Sequence, residues 1–205
     1  MSEFNLKTGD LLLFDYKAGG WFGVFTKLIK YFTKSKYSHI AMVLKDPTYI
    51  NPKLKGYYIW ESSWEDQPDP QDNKRKLGVE ITPFDEIYDL YKEKDSNIYV
   101  RRVDCNSNLF SSENLKEVHK VVYDKPYDMY PKDWYEAIKQ NDSNPQKTDR
   151  FWCSALVGYI YTKCGLLDSS TDWSMLRPID FALDGNNDLK FINNAKLEDK
   201  QQQIL

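Results

Sequence analysis

Histidine is nearly missing from this 205-residue chain, which holds two, His39 and His119. They stand far apart in the sequence, and no HxxxH pair is present, so a histidine-based metal site has no local basis. Three cysteines, Cys105, Cys153 and Cys164, are an odd number with no CxxC spacing. That excludes a disulfide framework and a thiolate zinc site, and it reads as reduced thiols in an intracellular compartment. No glycine-rich phosphate loop and no GxSxG elbow occurs. No cofactor and no metal is therefore expected. Charge of one sign is not in excess: 28 Lys+Arg face 31 Asp+Glu, for a net charge of −3. Nucleic-acid binding has no overall electrostatic footprint here. Long hydrophobic runs are absent too, and none approaches the ~20 apolar residues of a membrane span. The start, Met1-Ser2-Glu3-Phe4, lacks a basic signal-peptide region, Leu11-Leu12-Leu13-Phe14 is too short for its apolar region, and Ser2 excludes myristoylation.

Aromatic residues are plentiful, at 15% with 15 Tyr and 6 Trp. They favour sheets and aromatic-lined grooves over a simple helical bundle. The length suits one domain, expected over residues 1–190, with 191–205 expected as a frayed tail. Thr8-Gly9-Asp10 is a turn feeding a strand from Leu11 to Phe14. After Gly19-Gly20, Trp21, Val24, Phe25, Leu28, Ile29 and Phe32 make one apolar helical face. Tyr37 to Leu44 alternates as a strand, with His39, Ala41 and Val43 on one side and Ile40, Met42 and Leu44 on the other. Tyr57 to Ser62 is another strand, with Tyr57, Ile59 and Glu61 sharing a face. Residues 65–78 read as an exposed polar excursion.

Val79 to Thr82 is a short strand, and Pro83 suits the first turn of a helix reaching about Lys92. Asn97 to Val103 is a strand, followed by a helix from about Ser112 to Asp124. Lys125-Pro126-Tyr127-Asp128 breaks that helix. A short helix is expected near Trp134 to Lys139, inside a polar stretch. A last helix opens at Cys153 and runs to Cys164, with Gly165 as its C-cap. Its core face is Trp152, Ala155, Leu156, Tyr159 and Ile160. Strands and helices are mixed without strict alternation, which argues for an α+β fold with a largely antiparallel sheet.

The chemistry worth testing lies at that helix start. Unpaired N–H groups and the positive end of the helix dipole favour a thiolate at Cys153. A cysteine nucleophile also needs a base and a group that orients the base. His39 can be the base and Glu61 the orienting acid, while the Cys153 backbone N–H can donate to an oxyanion. Each residue also has a plain explanation. A helical cysteine is commonly a small buried hydrophobe, a strand histidine commonly a satisfied structural residue, and Glu61 a partner for a lysine. Cys164 and Cys105 read as structural. Spacing alone leaves both readings open.

Five segments taken in order resemble one family. They are Gly9-Asp10-Leu11-Leu12-Leu13-Phe14, Tyr37-Ser38-His39-Ile40-Ala41-Met42-Val43, Ile59-Trp60-Glu61-Ser62, Lys125-Pro126-Tyr127-Asp128 and Trp152-Cys153-Ser154-Ala155-Leu156-Val157. Together, over about residues 6–180, they look like the circularly permuted NlpC/P60 cysteine hydrolases, a YiiX/YebB-like group with papain-like architecture. The resemblance implies a permuted papain-like α+β fold, with an antiparallel sheet packed against the cysteine-bearing helix. It implies Cys153 as nucleophile, His39 as base and Glu61 as orienting acid. It also places Tyr37, Ser38, Tyr127 and Asp128 around the substrate cleft. One departure is Ala155, where relatives often carry Glu after the serine.

The implied activity is cleavage of an amide or ester through an acyl-enzyme on Cys153. The substrate is a peptide, an amide or a lipid ester. Two other functions compete with it. One is a lipid acyl hydrolase or acyltransferase that touches an anionic membrane through residues 21–32, flanked by Lys17, Lys27, Lys30, Lys34 and Lys36. The other is a binding module that keeps the fold without catalysis.

Overall fold

The computed structural model describes residues 4–17, 35–64, 67–128, 148–185 and 189–205. The expected helices over 21–32 and 134–139, and with them the membrane contact through 21–32, lie outside these residues. Among the described residues, six strands form one antiparallel sheet: β1 (Leu11–Asp15), β2 (His39–Lys45), β3 (Tyr57–Trp64), β4 (Leu77–Pro83), β5 (Asn97–Asp104) and β6 (Lys196–Gln203). Their order across the sheet is β4-β3-β2-β1-β5-β6. Among the described residues, three α-helices accompany them: α1 (Phe84–Glu93), α2 (Ser112–Val122) and α3 (Cys153–Lys163). The expectation of an α+β fold with an antiparallel sheet is met at this level. Among the described residues, no helix is long and apolar enough to cross a membrane.

The unbroken apolar run of β1 has a tertiary reason. β1 pairs with β2 on one side and β5 on the other, and both its faces are covered. Leu11 and Leu13 join Ile40, Met42, Leu44 and the residues of α2 and α3 in one core. Leu12 and Phe14 join Ala41, Val43, Ile59 and the α1 residues Phe84, Ile87 and Tyr91 in a second core on the opposite face. The two-residue alternation of β2 therefore divides its side chains between cores as its pattern requires. Strands β1 to β4 follow one another across four of the six positions of the sheet. The chain then crosses along α1 and resumes as β5 on the far side of β1.

Four expectations need correction. Pro83 ends β4 and occupies the N-cap position of α1, where it supplies no side-chain cap; Asp85 and Glu86 in the first turn complement the helix dipole. Helix α3 has no exposed face along most of its length, since every residue from Cys153 to Tyr161 is buried. Its outer side is covered by the segment around Trp173 to Leu176. A Cβ at Gly158 would stand 2.6 Å from Leu176 Cδ1 and 3.0 Å from Trp173 Cβ, so glycine is what lets that segment close on the helix.

Of the expected excursion over 65–78, the described part, 67–78, is not simply exposed. Asp69 is 2% exposed and Lys76 8% exposed. Their side chains form an ion pair of 2.9 Å, and Asp69 also accepts from the backbone N–H of Ile81 at 3.2 Å. Polar composition misleads there because the charges neutralise each other inside. The tail is likewise ordered at 196–203, where β6 pairs with β5 in the register Val103↔Leu197 and Arg101↔Gln201. Its run of Lys, Glu, Asp and Gln carries no apolar alternation, because an edge strand is held by ladder hydrogen bonds rather than by burial on two faces.

Candidate functional site

His39 is the first residue of β2, so its position depends on how that strand begins. The backbone N–H of Ser38 donates to Phe14 O at 2.8 Å, and its hydroxyl also donates there, at 3.2 Å. The same hydroxyl accepts from the Tyr16 N–H at 3.3 Å. Ser38 thus pins the start of β2 to the end of β1. The imidazole lies 5.3 Å from the Phe14 ring, centroid to centroid. Strand parity puts Glu61 on the same face as Ile59 and therefore on the His39 side. Oε2 of Glu61 is 2.7 Å from His39 Nε2, with the two side chains 1% and 15% exposed. The other oxygen, Oε1, accepts a hydrogen bond of 2.7 Å from the Thr82 hydroxyl on β4.

Cys153 is the first residue of α3 and is 4% exposed. Its helix begins after Trp152, whose extended backbone and uncapping side chain leave the first N–H groups of the helix turned outward. The thiol lies within interaction range of the His39 imidazole. Burial pulls the imidazolium toward neutrality. The hydrogen bonds to Cys153 and to Glu61, with the negative charge of both partners, overcome this and hold the His39 pKa at about 10. With Nε2 engaged by Glu61, Nδ1 is the nitrogen left for the thiol. Helix α3 packs on the Ile40, Met42 and Leu44 face of β2, whereas His39 shares strand parity with Ala41 and Val43; His39 stands at the very start of β2 and Cys153 at the start of α3.

Two neighbours flank the thiol and hold one carbonyl. The indole N–H of Trp152 donates to Leu176 O at 3.2 Å, and the Ser154 hydroxyl donates to the same oxygen at 2.6 Å. On the other side, the segment 125–128 is stitched between β4 and the approach to the helix. Val79 N–H donates to Lys125 O at 2.8 Å, Tyr127 N–H to Leu77 O at 3.0 Å and Asp128 N–H to Phe151 O at 3.1 Å. Phe151 N–H returns a bond to Pro126 O at 3.1 Å, and the Ser62 hydroxyl donates to Phe151 O at 2.6 Å. Gly78 makes this approach feasible. At its φ of +152°, a Cβ would fall 2.2 Å from Lys125 O.

Of the expected cleft residues, Tyr127 is buried within the electrostatic reach of the thiol. Burial, then the negative charges of Cys153 and Asp128, push its phenol well above its ordinary pKa, so it is a neutral hydroxyl. Asp128 is 6% exposed. Tyr37 is a core residue instead: it is fully buried, its ring stacks edge-on to Tyr99, and its hydroxyl meets the Gln201 amide on β6. Ser38 serves the strand start described above.

The second histidine takes no part. His119 Nε2 lies 2.7 Å from Gln71 Oε1, and its ring packs near Trp60 and Tyr123. Among the described residues, no group of three or more His, Cys, Asp or Glu could hold a metal ion. Cys164 is buried, which pushes its thiol up to about 12. Thr82, Ser62, Gly78 and the Leu176 carbonyl escaped the sequence. For Thr82 a signal existed, since the β4 alternation puts it on the His39 face once the register Ile59↔Thr82 is known. Compared with known proteins, the sequence matches no protein-family model and no curated protein.

Proposed function

We propose that this chain is a cysteine hydrolase of permuted papain-like (NlpC/P60-like) fold, cleaving an amide or ester bond through an acyl-enzyme on Cys153. One observation carries the reading: a helix-starting thiol beside an imidazole whose Nε2 is 2.7 Å from a buried carboxylate. The arrangement contains the three parts a thiol nucleophile requires. Sγ attacks the carbonyl carbon, and its electron pair forms the C–S bond as the carbonyl electrons move to oxygen. The Cys153 backbone N–H, with the dipole of α3 behind it, donates to that oxyanion. As the intermediate collapses, the His39 imidazolium passes its proton to the leaving nitrogen or oxygen. Neutral His39 then takes a proton from water, whose hydroxide attacks the thioester and releases the acid and the thiolate. Glu61 keeps Nε2 protonated and stabilises the positive ring in both half-reactions.

The test uses 4-nitrophenyl acetate as acyl donor and intact-mass and peptide-mass readouts. Expected are a burst of nitrophenol, an acetyl adduct on the Cys153 peptide and loss of both in Cys153→Ala. Cys164, buried and held mostly as the neutral thiol, remains unmodified. An adduct confined to other residues, or turnover unchanged in Cys153→Ala, would sink the proposal.

A further inference from the structure

Three adjacent strands each contribute one polar side chain to a continuous row of hydrogen bonds that ends at His39, beside the candidate nucleophile. Thr82 on β4 donates from Oγ1 to Glu61 Oε1 at 2.7 Å. Glu61 on β3 reaches His39 Nε2 on β2 from Oε2 at 2.7 Å. His39 meets Cys153 on α3. Glu61 and Thr82 are 1% and 5% exposed, so water does not compete for either carboxylate oxygen. The register explains the geometry. Ile59 stands opposite Thr82 and Glu61 opposite Glu80, so Thr82 is the diagonal neighbour of Glu61 on the same face, within reach of a long side chain.

A glutamate has three side-chain torsions, and its last one is broad. One hydrogen bond to His39 leaves the carboxylate free to swing about that contact. A second, on the other oxygen and from a different strand, sets the plane of the carboxylate and so the orientation of the imidazole. Threonine suits the task, because its β-branch restricts χ1 and thereby the direction of the hydroxyl.

We propose that Thr82 is a positioning residue for the Cys153 site, acting through Glu61 to fix the orientation of His39. The inference rests on the proposed thiol chemistry and adds a fourth side chain to it. Thr82 touches neither the thiol nor the reacting carbonyl, so its loss reduces kcat and leaves KM near its original value.

The experiment compares wild type, Thr82→Val, Thr82→Ala and Thr82→Ser in 4-nitrophenyl acetate turnover across pH. Thr82→Val is expected to lower kcat about tenfold, the weight of one buried hydrogen bond to a charged group. Its alkaline limb moves to lower pH as Glu61 loosens its hold on His39. Thr82→Ser keeps the hydroxyl and restores both. In a Glu61→Ala background, Thr82→Val has no further effect on kcat, because the residue it acts through is gone. Where Thr82→Val fails to fold, Thr82→Ala removes the hydroxyl with less crowding and is held to the same expectations. A fall in stability with kcat and alkaline limb unchanged would overturn the proposal, as would a full effect of Thr82→Val in the Glu61→Ala background. Either result would leave the role of Cys153 standing. A wild type that forms no acetyl-Cys153 would instead remove the reading on which Thr82 depends.

Discussion

Replacing Glu61 by Gln keeps the shape of the site and removes one charge from it. His39 is held at a pKa of about 10 against an ordinary 6.5, by the hydrogen bonds and charges of Cys153 and Glu61 acting against burial. At about 1.4 kcal/mol per pKa unit, that displacement corresponds to ~5 kcal/mol favouring the imidazolium, shared between the two partners. With His39 only 15% exposed, solvent screening takes little from it. A hydrogen bond to a charged group is worth about 1.5–3 kcal/mol, so losing the Glu61 charge should bring the midpoint down to roughly pH 8–9.

The effect on stability has a definite sign. The folded pKa of His39 lies above its unfolded value, so its contribution is fully present below about pH 6.5 and is lost as pH rises through about 10. The stability penalty of Glu61→Gln is therefore largest near pH 6.5 and shrinks by about 2 kcal/mol on approaching pH 10. Nitrogen-edited NMR of the imidazole gives the midpoint directly. Urea melts of both proteins at several pH values give the penalty, and titrating groups common to the two cancel in the difference. A wild-type His39 that titrates near 6.5, or a penalty that is flat or grows between pH 6.5 and 10, would refute the reasoning.

Gly78→Ala should destabilise the protein by about 3 kcal/mol in urea melts, as overpacking does; its Cβ would meet Lys125 O at 2.2 Å and Pro126 Cα at 2.8 Å. Acetylation of Cys153 should fall with it, because the 125–128 segment is bonded to Phe151, two residues before the thiol; melts that match wild type would contradict that packing. Lys76→Met should cost about 3–5 kcal/mol by leaving Asp69 buried without its cation, since Lys76 Nζ is 2.9 Å from both Asp69 and Asp72. The double variant Lys76→Met/Asp69→Asn should recover part of that loss, and thermal melts showing no recovery would contradict a charge-based cause.

Much of the scaffold was legible because its signals are local. Ile40, Met42 and Leu44 face one core, and Ala41 and Val43 the other, as alternation alone requires. Gly165, with a φ of +77°, stands immediately after the α3 C-cap, where glycine is favoured. Illegible features had no local signature. β6 is a polar edge strand, and the Asp69–Lys76 pair is buried charge in a segment whose composition reads as surface. Tyr37 lies two residues before His39 and yet turns into the core against Tyr99, because regular β2 alternation starts only at His39.

The sequence by itself determined which side chains were available for thiol chemistry: one cysteine at a helix start, one strand histidine and one strand carboxylate sharing a face with Tyr57 and Ile59. Periodicity, capping and helix dipole act over a few residues, so they can be read from the chain. Tertiary structure decided how those groups meet. Pairing of β2 with β3, and the seating of α3 beneath the segment 173–176, bring together residues that are distant in the chain. Thr82 joined the row for the same reason, since a hydroxyl on β4 has a partner only once the register across three strands is set.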